Sequence, residues 1–197
     1  MTTSETPHAT CGCSHTSPAD AQRRRVIRIA ALGLAAPLGL ATWPAQASVV
    51  GARLVEEDAE GKPMPLRPSD LRVGKPVVVF PFDAKTEAMR DETRLNKIVL
   101  IRLPEADMTP ETRALSAGGV LAYSAICTHQ GCDVKTWMDK EKALVCYCHS
   151  SKFALLDRGN VISGPASRPL PAIPLTLDGD HLVIAGAFTA TPGASLA

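Results

Sequence analysis

From Ser48 onward the apolar positions fall into short runs of strand length, bounded by Gly, Pro or charge. "PVVVFPF" (76–82), "KIVLIRL" (97–103) and "GVLAYSAI" (119–126) are rich in β-branched and aromatic residues, the composition that suits a pleated surface. "KALVCY" (142–147), "KFALL" (152–156), "NVISG" (160–164), "IPLTL" (173–177) and "HLVIAG" (181–186) continue the series. Asp157-Arg158-Gly159-Asn160 and Asp178-Gly179-Asp180 carry the residues that hairpin turns need. Only 83–96 and 104–118 leave room for short helical turns, and Pro104 and Pro110 restrict the second. The pattern predicts an all-β sandwich or barrel with no internal repeat. His181 reads as an ordinary strand residue. The proline-rich run "GPASRPLPAIP" (164–174) lacks the donors of an interior strand and reads as a stiff surface loop.

The N-terminal pattern is different. Residues 1–22 are polar and turn-rich; Arg23, Arg24 and Arg25 precede the apolar run Ile29–Thr42 and the small-residue site Ala45-Gln46-Ala47. A charged region, an apolar stretch and an A-x-A site are the parts of an export signal, and the adjacent arginines resemble the twin-arginine type. A permanent anchor is the competing reading, because a spanning helix needs about 20 apolar residues. Ile29–Val50 reaches that length only by including Pro37, Pro44 and Gln46. Residues 1–47 are therefore expected to be a cleaved signal or a membrane anchor. The body, 48–197, is expected on the periplasmic side of a bacterial inner membrane.

Charge excludes more than it suggests. The net charge is +1 and basic residues are interspersed with acidic ones, so neither nucleic acid nor an anionic surface is an expected partner. Six cysteines change the picture. Cys11 and Cys13, with His8 and His15, lie in the polar leader and carry no assigned role. The other four, Cys127, Cys132, Cys146 and Cys148, are concentrated in two short stretches. These are Cys127-Thr128-His129-Gln130-Gly131-Cys132 and Cys146-Tyr147-Cys148-His149-Ser150-Ser151, each expected at a hairpin tip.

A cysteine and a histidine two or three residues apart in one loop can converge on one metal, and the two loops together offer such a pair from each side. A Cys₂His₂ zinc site fits the count but leaves two cysteines over. A redox dithiol of Cys146 and Cys148 gives the histidines no task. An iron–sulfur site with two thiolates and two imidazoles uses both residue types and leaves two cysteines for another role.

The two stretches together resemble the Rieske iron–sulfur proteins, whose pattern is C-x-H-x-G-C followed by C-x-C-H-x-S. The resemblance covers about residues 76–186. It implies an antiparallel sandwich or barrel base domain with a small β cluster-binding subdomain at about 121–166, and one [2Fe-2S] cluster per chain. It further implies that Cys127 and Cys146 bind the inner iron, that His129 and His149 bind the outer iron, and that Cys132 and Cys148 form a disulfide between the loops. In an exported protein such a bridge would persist. "GPA" at 164–166, with Pro165, resembles the family's proline loop over the cluster. Gly131 and Ser151 complete the motif. Two neutral imidazoles in place of thiolates raise such clusters to roughly −150 to +300 mV, against about −400 mV for all-cysteine plant-type clusters. The histidines keep a ring nitrogen available to a partner.

The pair of extra cysteines and the export signal resemble the respiratory branch rather than the short ferredoxins of ring dioxygenases. That branch implies an electron-transfer subunit rather than a stand-alone enzyme. Its partners would be a larger redox subunit (a cytochrome b or a molybdopterin subunit), a c-type cytochrome and, in the first case, a quinol. Here the chain departs from the cytochrome bc pattern. Gln130 stands where leucine is usual, and Tyr147, Ser150 and Phe153 replace residues of C-P-C-H-G-S-x-Y. The usual tyrosine donates to a ligating sulfur and raises the potential; Phe153 cannot, whereas Ser151 keeps its hydroxyl. "AYSAICTHQGC" with Phe153 looks somewhat closer to the small subunits of arsenite oxidase-type enzymes. Two functions follow: a subunit of a quinol–cytochrome c reductase-like complex, and a relay subunit of a molybdenum enzyme. A structural zinc domain is the distant alternative.

Overall fold

Strands that the apolar runs predict are in several cases buried on both faces, which explains why those runs are continuous rather than alternating. The computed structural model describes residues 50–57 and 61–194. The leader with Cys11 and Cys13, the arginines and the Ala45-Gln46-Ala47 site lie outside them. Twelve strands are described: β1 (Arg53–Glu57), β2 (Pro63–Pro65), β3 (Val77–Asp83), β4 (Ala88–Met89), β5 (Ile98–Arg102), β6 (Val120–Ser124), β7 (Thr136–Met138), β8 (Ala143–Cys146), β9 (Ser151–Ala154), β10 (Asn160–Ser163), β11 (Leu175–Asp178) and β12 (His181–Ile184). One short helix, α1 (Pro110–Arg113), joins them, with Pro110 in its first turn and Thr109 as its cap. The architecture is all-β, as expected.

The strands form two antiparallel sheets. In the larger the order is β11-β12-β1-β3-β5-β6, with β2 on β1 and β4 on β3; the smaller runs β10-β9-β8-β7. Alternate residues of β5 and β6 divide between two cores. Ile98, Leu100, Val120 and Ala122 join Leu54, Val79, Ile173 and Ile184 inside the curl of the large sheet. Val99, Ile101, Leu121 and Tyr123 face the other way, toward Leu144, Phe153, Cys127 and Cys146 of the cluster-loop side. Each such aliphatic side chain contributes about 1.5–3 kcal/mol by leaving water. The second core is therefore shared between the large sheet and the site.

The 164–174 run departs from expectation only in its second half. It forms no named strand, and Gly164, Pro165, Ser167 and Pro169 are exposed as in a surface loop, but Leu170, Pro171, Ala172 and Ile173 are buried. Its carbonyl and amide groups serve where its prolines cannot donate: Ser124 donates to the Pro171 carbonyl at 2.8 Å and Ile173 donates to the Ala122 carbonyl at 3.0 Å. The strap thus lies along β6 and runs on into β11, curling the large sheet back toward its first edge. Leu155 and Leu156, expected as the end of a strand, form a 3-10 turn with Asp157 instead. The following reversal has Arg158 and Gly159 at φ 51° and 71°, the left-handed pair a tight turn demands. Buried Tyr123 donates to the Leu155 carbonyl at 2.7 Å and ties β6 to that turn.

Candidate metal centre

The two cysteine–histidine loops leave different structures. The second is a hairpin tip, as expected: Cys146 ends β8 and pairs with Ser151 at the start of β9. The first is also the tip of a short antiparallel pair, an isolated bridge of Ile126 to Asp133, on the way from β6 in the large sheet to β7 in the small one. The loop is closed by Cys127 donating to the Cys132 carbonyl at 2.8 Å and Gly131 donating to the Cys127 carbonyl at 3.0 Å. Gly131 sits at φ 75°, a conformation that costs an L-residue roughly 1–2 kcal/mol.

Between these loops lie two buried free cysteines, Cys127 and Cys146, while Cys132 and Cys148 are joined as a disulfide across the loops. The sulfurs of Cys132, Cys146 and Cys148 all lie within 4.8 Å of one another. Two of those three are bonded together, so Cys146 alone of that trio has a thiolate to offer a metal. Its counterpart is Cys127. Burial pushes the Cys127 thiol up, and the adjacent Cys146 pushes it further, while the His129 amide and the Ser151 hydroxyl pull it down by donating to it.

The imidazoles of His129 and His149 meet edge to face with centroids 4.7 Å apart. His129 Nδ1 is buried and has no hydrogen-bond partner. An orphaned buried nitrogen costs about 1–3 kcal/mol unless something occupies the space beside it. Two buried thiols and such a nitrogen form a donor set that fits an iron–sulfur cluster held by sulfur on one side and imidazole on the other. His149, Tyr147 and Gln130 are exposed, Tyr147 at 68%. That edge of the site faces solvent.

The 164–168 segment holds both loops. Ser151, 1% exposed, accepts from the Ala166 amide at 3.2 Å. Gly164, at φ 91°, packs so tightly that a Cβ there would lie 2.5 Å from Ser151 Cα. Pro165 itself is exposed; the contact falls on its neighbours. Buried Thr128 donates to the Arg168 carbonyl at 2.8 Å, fixing the first loop to the strap. Phe153 is wholly buried in the core that also contains both free cysteines, and it presents no hydroxyl to them. Ser150 stands at φ 59°, a left-handed position without glycine.

A profile of the Rieske [2Fe-2S] domain matches residues 65–174. The chain belongs to the Rieske family. Its cofactor is accordingly a [2Fe-2S] cluster, in keeping with the donor set described above. The cytochrome bc1 complex Rieske iron-sulfur subunit of Streptomyces lividans is 38% identical over 113 residues, covering 55% of this chain and 66% of the relative. The subunit of the same description from Corynebacterium diphtheriae is 32% identical over 145 residues, 62% of this chain and 36% of the relative. The Rieske chain thus spans less than two thirds of these curated relatives. A chain of a hyperthermophilic respiratory Complex III aligns with a TM-score of 0.39 at 20% identity, over 84% of this chain and 92% of that one.

Sequence reasoning located the two Rieske loops but not the contacts of Gly164 and Thr128, which run to backbone groups; only the glycine next to Pro165 left a trace in the sequence.

Proposed function

We propose that this protein transfers single electrons through its Rieske cluster as a subunit of a bacterial respiratory complex resembling a quinol–cytochrome c reductase. In this reading Cys127 and Cys146 hold the inner iron, and His129 and His149 hold the outer one. The cluster supplies a one-electron site whose potential the imidazole ligands raise. The protein's own groups bury the sulfur side, donate to the Cys127 sulfur from the His129 amide and Ser151 hydroxyl, and leave the His149 edge open to a partner. The observation that carries the reading is this asymmetry: two buried free thiols inside, and two contacting imidazoles outside them, His149 exposed and His129 half-buried. The relatives described as cytochrome bc1 subunits support a cytochrome b and a c-type cytochrome as partners.

Residues 1–47 are read as a twin-arginine-like signal or anchor, placing domain 48–197 on the periplasmic side of the inner membrane. Among the described residues no helix is long and apolar enough to cross a membrane. The test is EPR of the reduced, purified full chain, followed by quinol-dependent reduction of a c-type cytochrome in membranes with and without it. A rhombic signal averaging below the free-electron value is expected, and loss of cytochrome reduction without the chain. A silent spectrum would leave a zinc or disulfide domain. One observation favours the second reading, a relay subunit of an arsenite oxidase-type enzyme: buried Phe153 withholds the hydroxyl that raises the potential. A cluster signal with unaltered quinol-dependent reduction would select it.

A further inference from the structure

The first cluster loop is gripped from outside by a side chain that no motif contains. Thr93 caps a 3-10 turn, Arg94–Asn96, by accepting from the Leu95 amide at 3.3 Å. From this turn one Arg94 nitrogen, Nη2, donates to the Gly131 carbonyl at 3.0 Å and to Asp133 Oδ1 at 2.6 Å. Lys97 donates to the other oxygen, Asp133 Oδ2, at 3.0 Å. Gly131 and Asp133 flank Cys132, one end of the disulfide. The turn is itself fixed on two sides. The Lys97 carbonyl accepts from the Ala125 amide at 3.0 Å. On the other side a Cβ on Gly193 would come within 3.1 Å of Leu95.

We infer that Arg94 is a positioning residue for the cluster, holding the His129–Cys132 turn through the Gly131 carbonyl and the Asp133 carboxylate. A guanidinium suits this task because its fixed planar donors can serve a carbonyl and a carboxylate together, whereas an ammonium is a flexible point donor. Pairs exposed to this degree, with the Arg94 side chain at 62%, contribute little to global stability. The function of the grip is therefore local: it restrains the loop bearing Cys127 and His129. The inference rests on the ligand set proposed above.

The experiment uses the cluster-loaded full chain and the variants Arg94→Gln, Arg94→Lys, Asp133→Asn and the double variant Arg94→Gln/Asp133→Asn. Their thermal midpoints should stay close to that of the parent. Iron release to a chelator should be about tenfold faster in Arg94→Gln, the lower end of what losing an outer partner of a metal site costs. The EPR signal should broaden or shift. Arg94→Lys should resemble Arg94→Gln, because the lysine side chain ends one bond short of Nη2, the atom that serves both acceptors. The double variant should be no worse than its more affected parent. Parental spectra and iron release in Arg94→Gln would overturn the inference. So would full rescue by Arg94→Lys, which would make Arg94 a charge rather than a brace, or additive effects in the double variant. A parent chain with no EPR signal would instead overturn the ligand set.

Discussion

Phe153 and Gly164 show how much a single position carries in this site. Phe153 is sealed in the core beside Cys127 and Cys146, so a hydroxyl placed on its ring can only point among buried groups. If it reaches a cysteine sulfur it stabilises the more negative, reduced site; otherwise it is an unpaired buried polar group costing about 1–3 kcal/mol. We expect Phe153→Tyr to raise the reduction potential in film voltammetry, and an unchanged potential with a lowered melting temperature would refute it. Gly164 is a case of pure geometry. With φ at 91° and only 2.5 Å between an added Cβ and Ser151 Cα, the position has no space for alanine. Gly164→Ala should cost about 3 kcal/mol in denaturant unfolding. The proposed ligand residues stand out in the sequence because cysteine and histidine at fixed spacing have few other uses. Arg94 does not, since its acceptors, the Gly131 carbonyl and the Asp133 carboxylate, lie 37 and 39 positions away and no residue type marks such a carbonyl.

At the scale of elements, the site hangs between a hairpin and a crossover, tied by one covalent bond. The Cys132–Cys148 bridge closes a loop with a sequence separation of 16. A loop of that size stabilises a protein by about 3 kcal/mol, chiefly by restricting the unfolded chain. Its reduction by a thiol reagent should lower the melting temperature and accelerate cluster loss; a bridge that could be opened without either effect would not be a strut. Burial pushes the Asp133 carboxyl up, but hydrogen bonds and charge from Arg94 and Lys97 outweigh it and hold it below the usual range. A depressed carboxyl contributes stability above its unfolded value of about 3.9, and that contribution is lost as the pH falls through the lower folded value. Acid titration should therefore release iron faster below about pH 4, with the effect reduced in Asp133→Asn. Long elements were readable in advance except β1, whose Arg53, Glu56 and Glu57 interrupt its apolar residues, and the shortest ones were not. β5 and β6 announce themselves because both faces are buried. β7 is three half-buried residues, β4 only two, and β2, Pro63-Met64-Pro65, carries the residues that argue against a strand.

The described residues are organised around two cores that share β5 and β6. One stabilises the curled sheet and the other reaches into the site. A substitution in the shared strands should therefore be felt in the core it faces. Leu121→Ala, on the site-facing side, should cost about 2–5 kcal/mol and alter the EPR line shape. Leu100→Ala, on the opposite side of the neighbouring strand, should cost a similar amount and leave the spectrum unchanged. Equal spectral effects would mean the cores are not separable. The all-β class was readable because strand-length runs and explicit turns dominate the chain. The closure was not, because prolines indicate what a segment cannot donate and are silent about what its carbonyls accept.

That closure bears on how the protein survives in solution. β6 ends the large sheet, and a long apolar strand with an open row of amides would recruit a neighbouring chain. The strap fills that row through the Pro171 carbonyl and the Ile173 amide, and Thr189 takes both backbone groups of Ala172 on the far side. With Pro169, Pro171 and Pro174 in its length, the strap has too few amides to template another strand. The same prolines that disqualify it as part of the sheet make it a guard against intermolecular strand addition, protecting an electron carrier from assembly by its own edge.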